Sequence, residues 1–574
     1  IAFKCWDEKD KIRSTVAKRD EIFTDDNVRV FLDTYDDQRR AYVLGWNPLG
    51  IQADGILIEG QNTDLPVDIV MESKGMTHDW GWSVEVKIPF KSLRYKAGKG
   101  KMWGFNATRS IIRFNDEFNS WMPQDRNISG FLIQSGKITG LEGISSERTL
   151  EIIPSITISE TGNRVSDSQI PAGRFVNEPV KQDLSLNLKY SITPNITLDA
   201  AINPDFAEIE ADAPVVTANQ RFPIVFAEKR PFFLEGADTF QSPLFLFNSR
   251  TIVDPDIAAK LTGKTGKNSF GFLVASDNAP GNFSENERND PNTRPFIDEF
   301  LDKNATFAVL RVKRDFGKEN NIGFFGTARA FPENKNFVGG FDGQLKVNPH
   351  STLSFQGVLT NSKKCFFEPT FDDLENPQQA IRNKEICGGN RFSQYRSGNG
   401  FGYNVTYTSQ KETFGYWVQA VGRSEDYRTD AGFTRRADSH VIGGVIRKTS
   451  KSTPKNRLIR SQISSYLGTA FSGKNRYQSS EWNAIATFNL QKNTAVNIWG
   501  GISPQKIYED EFGLARNDNR NGGFSTDPTR NIFIRWVGGS FQSNPVKRFS
   551  FNFSITQAWD VWDFDFGAAT VNGR

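Results

Sequence analysis

The residues best suited to bind a ligand or to control a passage are concentrated in residues 227–236, which read AEKRPFFLEG. This stretch holds two basic residues, one proline, two phenylalanines and two glutamates in ten positions. It is too charged for a strand that faces lipid and too aromatic for a solvated loop. Such side chains can set the selectivity of a plug or gate. The candidates are Glu228, Lys229, Arg230, Phe232, Phe233 and Glu235.

Few other groups in the chain suit catalysis. There are three histidines, no zinc-ligand spacing, no Gly-x-Ser-x-Gly and no phosphate loop. Carboxylates are frequent, but glycoside hydrolysis needs two of them at a fixed separation across a cleft. Ion pairs with Lys229 and Arg230, or plain solvation, explain these acids equally well. We predict no catalytic residues and keep a carboxylate-based envelope glycan hydrolase as a third alternative, with Asp205, Glu208, Glu210 and Asp212 as examples of such acids.

The composition argues against disorder and against nucleic-acid binding. Of the 574 residues 24% are charged, and the formal net charge is +3 at pH 7, so neither sign dominates. No run of about 18 apolar residues could form a transmembrane helix. A β-barrel is not excluded, because its strands alternate between lipid-facing and lumen-facing residues. The 48 phenylalanines and 48 glycines, against 4 methionines, suit such a wall.

Several segments after Arg148 alternate strictly between apolar and polar residues. In residues 184–192 the even positions are leucine, tyrosine or isoleucine and the odd positions are polar. The same period returns in residues 341–347, 353–360 and 549–556. All apolar side chains of such a strand point to one face, which can meet lipid. A soluble sandwich seldom keeps this pattern over the ten or so residues that a tilted strand needs to cross a bilayer.

The connections alternate between short and long, as in outer-membrane barrels with periplasmic turns and outer loops. Long connections include 277–304, 361–398 and 504–530. The short polar ones are 193–195, 265–268, 317–321, 348–350, 410–412, 451–456, 491–493 and 544–547. About 18 strands fit between Leu150 and Val571, an even number as single-chain barrels require. We predict an all-β fold, an N-terminal β-sandwich followed by a transmembrane antiparallel β-barrel of about 18 or more strands.

The charged and aromatic stretch lies in a segment, residues 203–257, between the third and fourth barrel strands on the side of the long loops. This segment is too long for a plain loop and too rich in phenylalanine to stay in water. We expect it to fold into the lumen, pack against the wall or the sandwich, and form a constriction lined by the four charged residues of 228–235. A purely structural plug is an equal alternative.

Residues 1–146 have the pattern of an antiparallel sandwich and residues 147–574 that of the barrel. Short strands between turn residues are predicted at 27–37, 41–50, 81–93 and 102–114. The motifs DDNVRVFLDTYDD (25–37), WSVEVKIPFKSL (82–93) and WGFNATR (103–109) resemble family 9 carbohydrate-binding modules. The opening strand of the family pattern is missing, and no signal peptide precedes the strand-like start, so we expect truncated ends.

The resemblance implies a jelly-roll-like sandwich that holds a sugar end between aromatic faces, with structural Ca²⁺ as its only expected cofactor. Aromatic rings suit the apolar face of a pyranose. The candidate platforms are Trp46, Trp80, Trp82 and Trp121, although sandwiches also bury tryptophans in their core.

Five aspartates could supply oxygen ligands for calcium, but they lack the fixed spacing of an EF-hand loop. A solvated acidic edge is the alternative interpretation. These residues are Asp25, Asp26, Asp33, Asp36 and Asp37. A haem-binding version of the sandwich would need His78 with Met71 or Met76 as axial ligands.

The barrel part also carries a resemblance. The stretches GKITGLEGI (136–144), LKYSITPNITLDAAINPDFAEIEAD (188–212) and FAEKRPFFLEGADTF (226–240) resemble bacterial envelope proteins, common in Bacteroidetes, that join a family 9-like module to a large barrel domain of unknown function. The resemblance covers nearly the whole chain. It implies an architecture but no substrate.

The three cysteines fit an exported protein. Cys365 and Cys387 lie in one long outer connection, where we predict a disulfide because the cell exterior permits it. Cys5 lies inside a strand pattern and is predicted to be a buried free thiol.

Two main hypotheses follow for a protein of the bacterial outer membrane. In the first, a sandwich on the periplasmic side binds a glycan and the barrel lumen is a restricted passage. In the second, the barrel is a plugged anchor that holds the sandwich on an envelope polymer or protein. The expected partners are outer-membrane lipid, a glycan and an envelope protein, with no nucleic acid.

Overall fold

A computed structural model shows an all-β chain with two parts. The structure describes all residues except 60–67, 97, 113–116, 145–147, 166–172, 178, 194, 205–220, 292–293, 318, 367–393, 454, 512–523, 525–526, 547–548 and 563–574. None of the described helices has the length and the apolar character needed to cross a membrane.

The first part is a two-layer β-sandwich. Its strands are β1 (Ala2–Trp6), β2 (Asn27–Asp33), β3 (Arg40–Trp46), β4 (Gln52–Ile58), β5 (Glu72–His78), β6 (Gly81–Lys87), β7 (Trp103–Ile111), β8 (Glu117–Ser120) and β9 (Gly136–Ile138). One sheet has the order β1-β6-β5, and the other has the order β4-β3-β2-β7-β8 with β9 also on β7. Alternate residues of facing strands, such as Val30, Leu44 and Val84, are fully buried between the sheets. The predicted sandwich is confirmed.

The second part consists mainly of long antiparallel strands. They are β10 (Leu150–Ser159), β11 (Gly162–Val165), β12 (Arg174–Asn177), β13 (Lys181–Thr193), β14 (Ile196–Ile202), β15 (Pro255–Thr265), β16 (Asn268–Asp277), β17 (Ala305–Phe316), β18 (Asn320–Phe331), β19 (Asn334–Asn348), β20 (Ser351–Phe366), β21 (Gln394–Gln410), β22 (Phe414–Arg423), β23 (Ser439–Thr449), β24 (Leu458–Phe471), β25 (Tyr477–Leu490), β26 (Thr494–Tyr508), β27 (Thr529–Val546) and β28 (Phe549–Trp559). All except β11 and β12, which form a separate hairpin, belong to one 17-stranded sheet.

Each strand of this large sheet pairs with its neighbours in sequence, from β10 to β28. Its outward face is apolar, as the exposed Leu184, Phe341, Leu359 and Phe553 illustrate. The opposite residues of the same strands are polar or packed against the interior, because side chains alternate along a strand. The predicted barrel class is therefore confirmed, with 17 strands in the described part of the chain rather than about 18.

The short connections predicted from the sequence all lie at one end of the barrel strands. Two connections at the opposite end are also short, residues 332–333 between β18 and β19 and residues 472–476 between β24 and β25. The alternation of short turns with long loops thus has two exceptions. The register explains them, because both strand pairs stay hydrogen-bonded up to their connections.

The sandwich lies against the end of the barrel that carries the short turns. The Ser129 amide donates to the Pro349 carbonyl at 2.8 Å, in the turn after β19. The Arg13 guanidinium donates to the Asn544 carbonyl at 2.5 Å, at the end of β27. One small domain reaches turns that are many strands apart in the order, because the sheet curls into a barrel. The sandwich is therefore docked against the barrel.

The longer described part of the segment between β14 and β15, residues 221–254, packs against the inner wall of the barrel. It contains helix α1 (Pro231–Leu234), whereas α2 (Glu285–Asn289) and α3 (Arg294–Ile297) lie in the loop before β17. Phe233, Phe240, Leu244 and Leu246 of the segment pack with inward side chains of the wall, for example Phe307, in one buried cluster. Pro231 occupies the first turn of α1, where its missing N–H costs no hydrogen bond.

Candidate functional site

Three strands place charged side chains next to each other on the inner wall. Lys189 of β13 is opposite Asp199 of β14, and Asp199 is opposite Lys260 of β15. Directly opposed residues of neighbouring strands lie on the same face within contact distance. Two further residues, Glu235 of the in-folded segment and Arg94 of the sandwich, lie next to these three, although neither belongs to a strand of the wall. We call these five residues the charged junction.

Glu235 is the centre of the charged junction. Its carboxylate accepts hydrogen bonds at 3.0 Å from both the Arg94 guanidinium and the Lys189 ammonium. Lys260 donates to the carbonyl oxygen of Glu235 at 2.5 Å and lies 3.6 Å from the Asp199 carboxylate. One side chain of the segment therefore binds the wall and the sandwich at the same time.

The electrostatics of the junction keep Glu235 ionised. Burial opposes ionisation of this carboxylate, but the opposite charges of Arg94, Lys189 and Lys260 outweigh burial and lower its pKa from 4.5 to about 2. The residue after it, Gly236, has a φ of +69° and precedes the 3-10 turn Ala237–Phe240. A Cβ there would lie 3.1 Å from the Thr262 hydroxyl of β15, so glycine suits this close approach.

A second set of ion pairs holds the sandwich to the rim. Lys264 at the end of β15 donates to Asp37 of the sandwich and, at 2.8 Å, to Asp315 of β17. Arg39 of the sandwich contacts the same Asp315 at 2.9 Å. Lys264 and Arg39 lower the pKa of Asp37 against the effect of its burial. We call Arg39, Asp37, Lys264 and Asp315 the rim network.

The four charged residues predicted to line a constriction have different surroundings in the structure. Arg230 is buried and donates to the Glu228 carboxylate and to the carbonyls of Ser249 and Ile252 at 2.6–2.9 Å. Glu228 and Arg230 therefore bind parts of the segment to each other. Lys229 and Glu235 do face a cavity, while Phe232 and Phe233 pack in or against the buried cluster.

The other side of the lumen is polar and more open. The wall from β15 to β20 packs against the in-folded segment, whereas β21 to β27 include inward residues that are half-exposed, for example Gln419, Thr487 and Asn497. There, uncharged side chains bond across neighbouring strands. Gln419 donates to Thr406 at 3.1 Å, Thr487 to Asn497 at 2.8 Å, and Asn497 to Ser540 at 3.0 Å. We call these five residues the polar ladder.

The sandwich tryptophans separate into two groups. Trp46 and Trp82 are 0% exposed in the core between the sheets, so the prediction that they form a sugar platform is wrong. Trp121 is exposed and packs against Phe105, at 5.5 Å between ring centroids. Trp80 is half-buried at the surface next to Trp6, with their ring centroids 5.0 Å apart.

Trp6 and Trp80 belong to an exposed aromatic patch on the outer face of the β1-β6-β5 sheet. The Lys4 ammonium lies 4.3 Å from the centroid of Trp6 and 4.7 Å from that of Trp80. The His78 ring stacks on Trp80 at 4.5 Å and bonds to the Ser83 hydroxyl at 2.8 Å. Trp6 was not among the predicted platforms, because its segment reads only as the strand-like start of the sandwich.

The five aspartates proposed as calcium ligands are not gathered into one site. Asp25 and Asp26 accept backbone N–H bonds from Thr15 and from Arg13 and Ile112 at 2.8–2.9 Å. Asp33 accepts from the backbone of Tyr35 and Gln38, Asp36 pairs with Lys137, and Asp37 joins the rim network. Within the described ranges no group of three or more His, Cys, Asp and Glu side chains could hold a metal ion.

The cysteine predictions meet the structure only in part. Cys5 is a free, buried thiol, as predicted, and burial raises its pKa to about 11. The predicted disulfide lies outside the described residues, because Cys387 falls in 367–393 and nothing is described of the Cys365 side chain. The acids Asp205, Glu208, Glu210 and Asp212 also lie outside them.

A match to a known protein family covers only part of the chain. A family described as a domain of unknown function, DUF5916, matches residues 174–270, which run from β12 through the in-folded segment into β16. No curated protein matches the chain.

Among solved structures, the chain is similar to OccK9 (OpdG) of Pseudomonas aeruginosa, with 8% identity, a TM-score of 0.27, and coverage of 93% of this chain and 97% of that one. For OpdL of the same organism the values are 9%, 0.28, 92% and 97%. For OccAB3 of Acinetobacter baumannii they are 7%, 0.25, 93% and 98%. These similarities are too distant to support an argument about function.

Proposed function

We propose that this protein is an outer-membrane β-barrel with a restricted lumen, through which small hydroxylated solutes pass. The observation that carries the proposal is the division of the wall into two faces. Its outward side chains are exposed and apolar over 17 strands, which suits hydrocarbon, and its inward ones include the polar ladder. Such a wall fits a membrane because backbone groups in hydrocarbon must be paired, and every strand of the described sheet from β13 to β27 pairs on both sides.

The polar ladder suits uncharged, hydroxyl-rich solutes. Serine, threonine, asparagine and glutamine side chains both donate and accept hydrogen bonds, so they can replace water around sugar hydroxyls without a charge penalty. The in-folded segment narrows the lumen from the opposite side, and the sandwich covers part of the short-turn end. The passage of solutes is therefore restricted inside the lumen by the segment and at the short-turn end by the sandwich.

The aromatic patch is the part of the sandwich best suited to bind a glycan. Trp6 is 63% exposed and lies beside Trp80, so the two rings offer apolar faces to a sugar. A glycan array with the full chain in detergent should show binding that Trp6→Ala and Trp80→Ala reduce at least tenfold. Trp121→Ala is the matched control, because this exposed tryptophan lies outside the patch. Binding that all three variants retain would remove the glycan assignment from the patch.

The transport proposal is tested by conductance. In planar bilayers, wild-type protein should show small single-channel currents, and deletion of residues 204–253 should increase them severalfold because the lumen loses its filling. The deletion is structurally possible, since β14 and β15 remain paired neighbours. Heat-dependent mobility on SDS gels checks that the variant still forms a barrel. The absence of current in both proteins would contradict the proposal.

A plugged anchor is the second candidate function, and the rim network favours it. Four charged groups of the sandwich and barrel are largely buried against each other, with 13–16% exposed side chains. Such a fixed domain could hold the barrel on an envelope polymer or partner protein. Zero conductance even after the deletion, together with retained glycan binding, would favour the anchor.

Glycan hydrolysis is not part of the proposal. Glu228 and Glu235 do not suit the role of its general acid, because ion pairing lowers the pKa of both despite their burial, whereas a general acid needs a raised pKa.

A further inference from the structure

A cavity of about 610 Å³ lies where the sandwich, the in-folded segment and the wall meet. Its walls come from the sandwich around Phe90–Tyr95, from the segment around Lys229–Gly236, and from β13 and β14. A volume of this size is typical of sites for small molecules. None of the three parts alone would enclose it.

The charges around this cavity are unequal. Five cations face it, namely Arg40, Lys91, Arg94, Lys189 and Lys229, against the two carboxylates of Asp68 and Glu235. Glu235 binds Arg94 and Lys189, and Arg40 pairs with Asp238, which lies outside the cavity lining, at 3.0 Å. Asp68 pairs with Arg19 at 3.0 Å, so Lys91, Arg94 and Lys189 stand against the single carboxylate of Glu235. This excess of positive charge lies in a place that is partly shielded from water, where electrostatic attraction is stronger than at the surface.

The remaining lining is apolar or aromatic. Phe90, Tyr95 and Tyr42 come from the sandwich and Leu234 from the segment. The Tyr42 hydroxyl is fixed, since it accepts a hydrogen bond from the Arg94 backbone at 2.9 Å. Such walls can hold a ring or a short hydrocarbon body while the cations bind its acidic group.

We infer that this cavity binds a small organic anion, a carboxylate or phosphate on a ring or short apolar body. The site is distinct from the polar ladder, which carries no net charge, and from the aromatic patch on the outer face of the sandwich. It does not depend on whether the barrel conducts. Because the site is built from the docked arrangement, an anion bound there also stabilises the docking of the sandwich by mass action.

The test uses the full chain in detergent and three probes of similar shape. Isothermal titration should show binding of benzoate or phenyl phosphate and at least tenfold weaker binding of the neutral benzamide. The two anions show which acidic group the site prefers. Raising the salt concentration from 50 to 500 mM should weaken the binding of the anions, because ions screen the attraction.

Two double variants locate the site. Lys91→Gln with Lys229→Gln should weaken anion binding at least tenfold, whereas the control Lys101→Gln with Lys303→Gln, both exposed lysines outside the cavity, should change it less than twofold. Equal affinity for benzamide and the anions, no binding at millimolar concentration, or an unchanged affinity of the Lys91 and Lys229 variant would overturn the inference. If that variant does not fold, the comparison of probes and the salt dependence of the wild type still decide.

Discussion

Replacing Glu235 by glutamine should loosen the docking of the sandwich. The carboxylate makes two ion pairs at 3.0 Å, with Arg94 and Lys189, and its pKa falls from 4.5 to about 2. At about 1.4 kcal/mol for each pKa unit, this corresponds to about 3 kcal/mol of favourable interaction. The side chain is 33% exposed, so solvent screening reduces the expected effect of Glu235→Gln to about 1–2 kcal/mol.

Hydrogen exchange can measure this loss directly. The backbone amides of Ser129 and Glu412 donate across the interface, to the Pro349 carbonyl and the Asn127 side chain, so both lose their hydrogen bonds when the sandwich separates from the turns. A cost of about 1–2 kcal/mol should speed their exchange about five- to thirtyfold. Amides of the β2–β3 ladder, such as that of Val30, should not change, since they report unfolding of the sandwich itself.

The pH dependence gives the sign of the effect. The folded-state pKa of Glu235 is below its unfolded value, so its stabilising contribution is complete above pH 4.5 and is lost as pH falls toward 2. Wild type and Glu235→Gln should therefore differ at pH 7 and converge toward pH 2. The control Glu333→Gln breaks a comparable pair with Lys363 away from the sandwich and should leave both reporter amides unchanged. Equal exchange of wild type and Glu235→Gln at pH 7 would refute the reasoning.

Three further predictions concern the wall and the sandwich core. Trp46→Ala should destabilise the sandwich by about 3–5 kcal/mol because the ring is fully buried. Denaturant unfolding followed by near-UV circular dichroism measures this loss, and an unchanged unfolding midpoint would place Trp46 outside the core. Arg311→Gln removes the bidentate pair with Asp342, at 2.5 and 2.6 Å on the inner wall, and should destabilise the barrel by about 3–5 kcal/mol. On SDS gels, the band of the folded barrel should then disappear at a lower heating temperature than in the wild type. Burial raises the pKa of Asp54 from 3.8 to about 6, so its ionisation penalty is present above pH 6 and relieved as pH falls toward 3.8. The melting temperature of the sandwich should therefore rise as pH falls from 6 to 3.8, and Asp54→Asn should remove this rise. A rise that persists in the variant would exclude Asp54 as its source.

The barrel wall could be predicted from the sequence because its signal is local. A period of two fixes which side chains of residues 184–192 or 549–556 face outward, and counting strands placed the charged stretch inside the lumen. The pairing of Glu235 with Arg94 could not be predicted, because the two residues are 141 positions apart and meet only when the sandwich docks. The sequence places Asp199 and Lys260 on the polar faces of their strands. Pairing them requires the register between β14 and β15, which the sequence does not reveal.

The tryptophans show the same limit on a smaller scale. Trp82 lies on the same strand face as the apolar Val84 and Val86, and all three are buried. The alternation along β6 therefore does place Trp82 in the core. Nearly all of β3 is buried, and parity therefore gives no guidance for Trp46. The position of Trp80 in the turn before β6 carries no periodicity at all, and its contact with Trp6 depends on the pairing of β1 with β6.

The direct pairing of β14 with β15 has a consequence for how the wall assembles. Ile202 is opposite Ile257, so the two strands meet although the whole in-folded segment lies between them. Closing a connection of about 50 residues, rather than a turn of two, costs about 3 kcal/mol more chain entropy. We therefore expect the β14–β15 pair to form later than the hairpins of the sheet, unless burial of the phenylalanines of the segment brings its two ends together first. The segment would then act as a folding nucleus as well as a filling of the lumen.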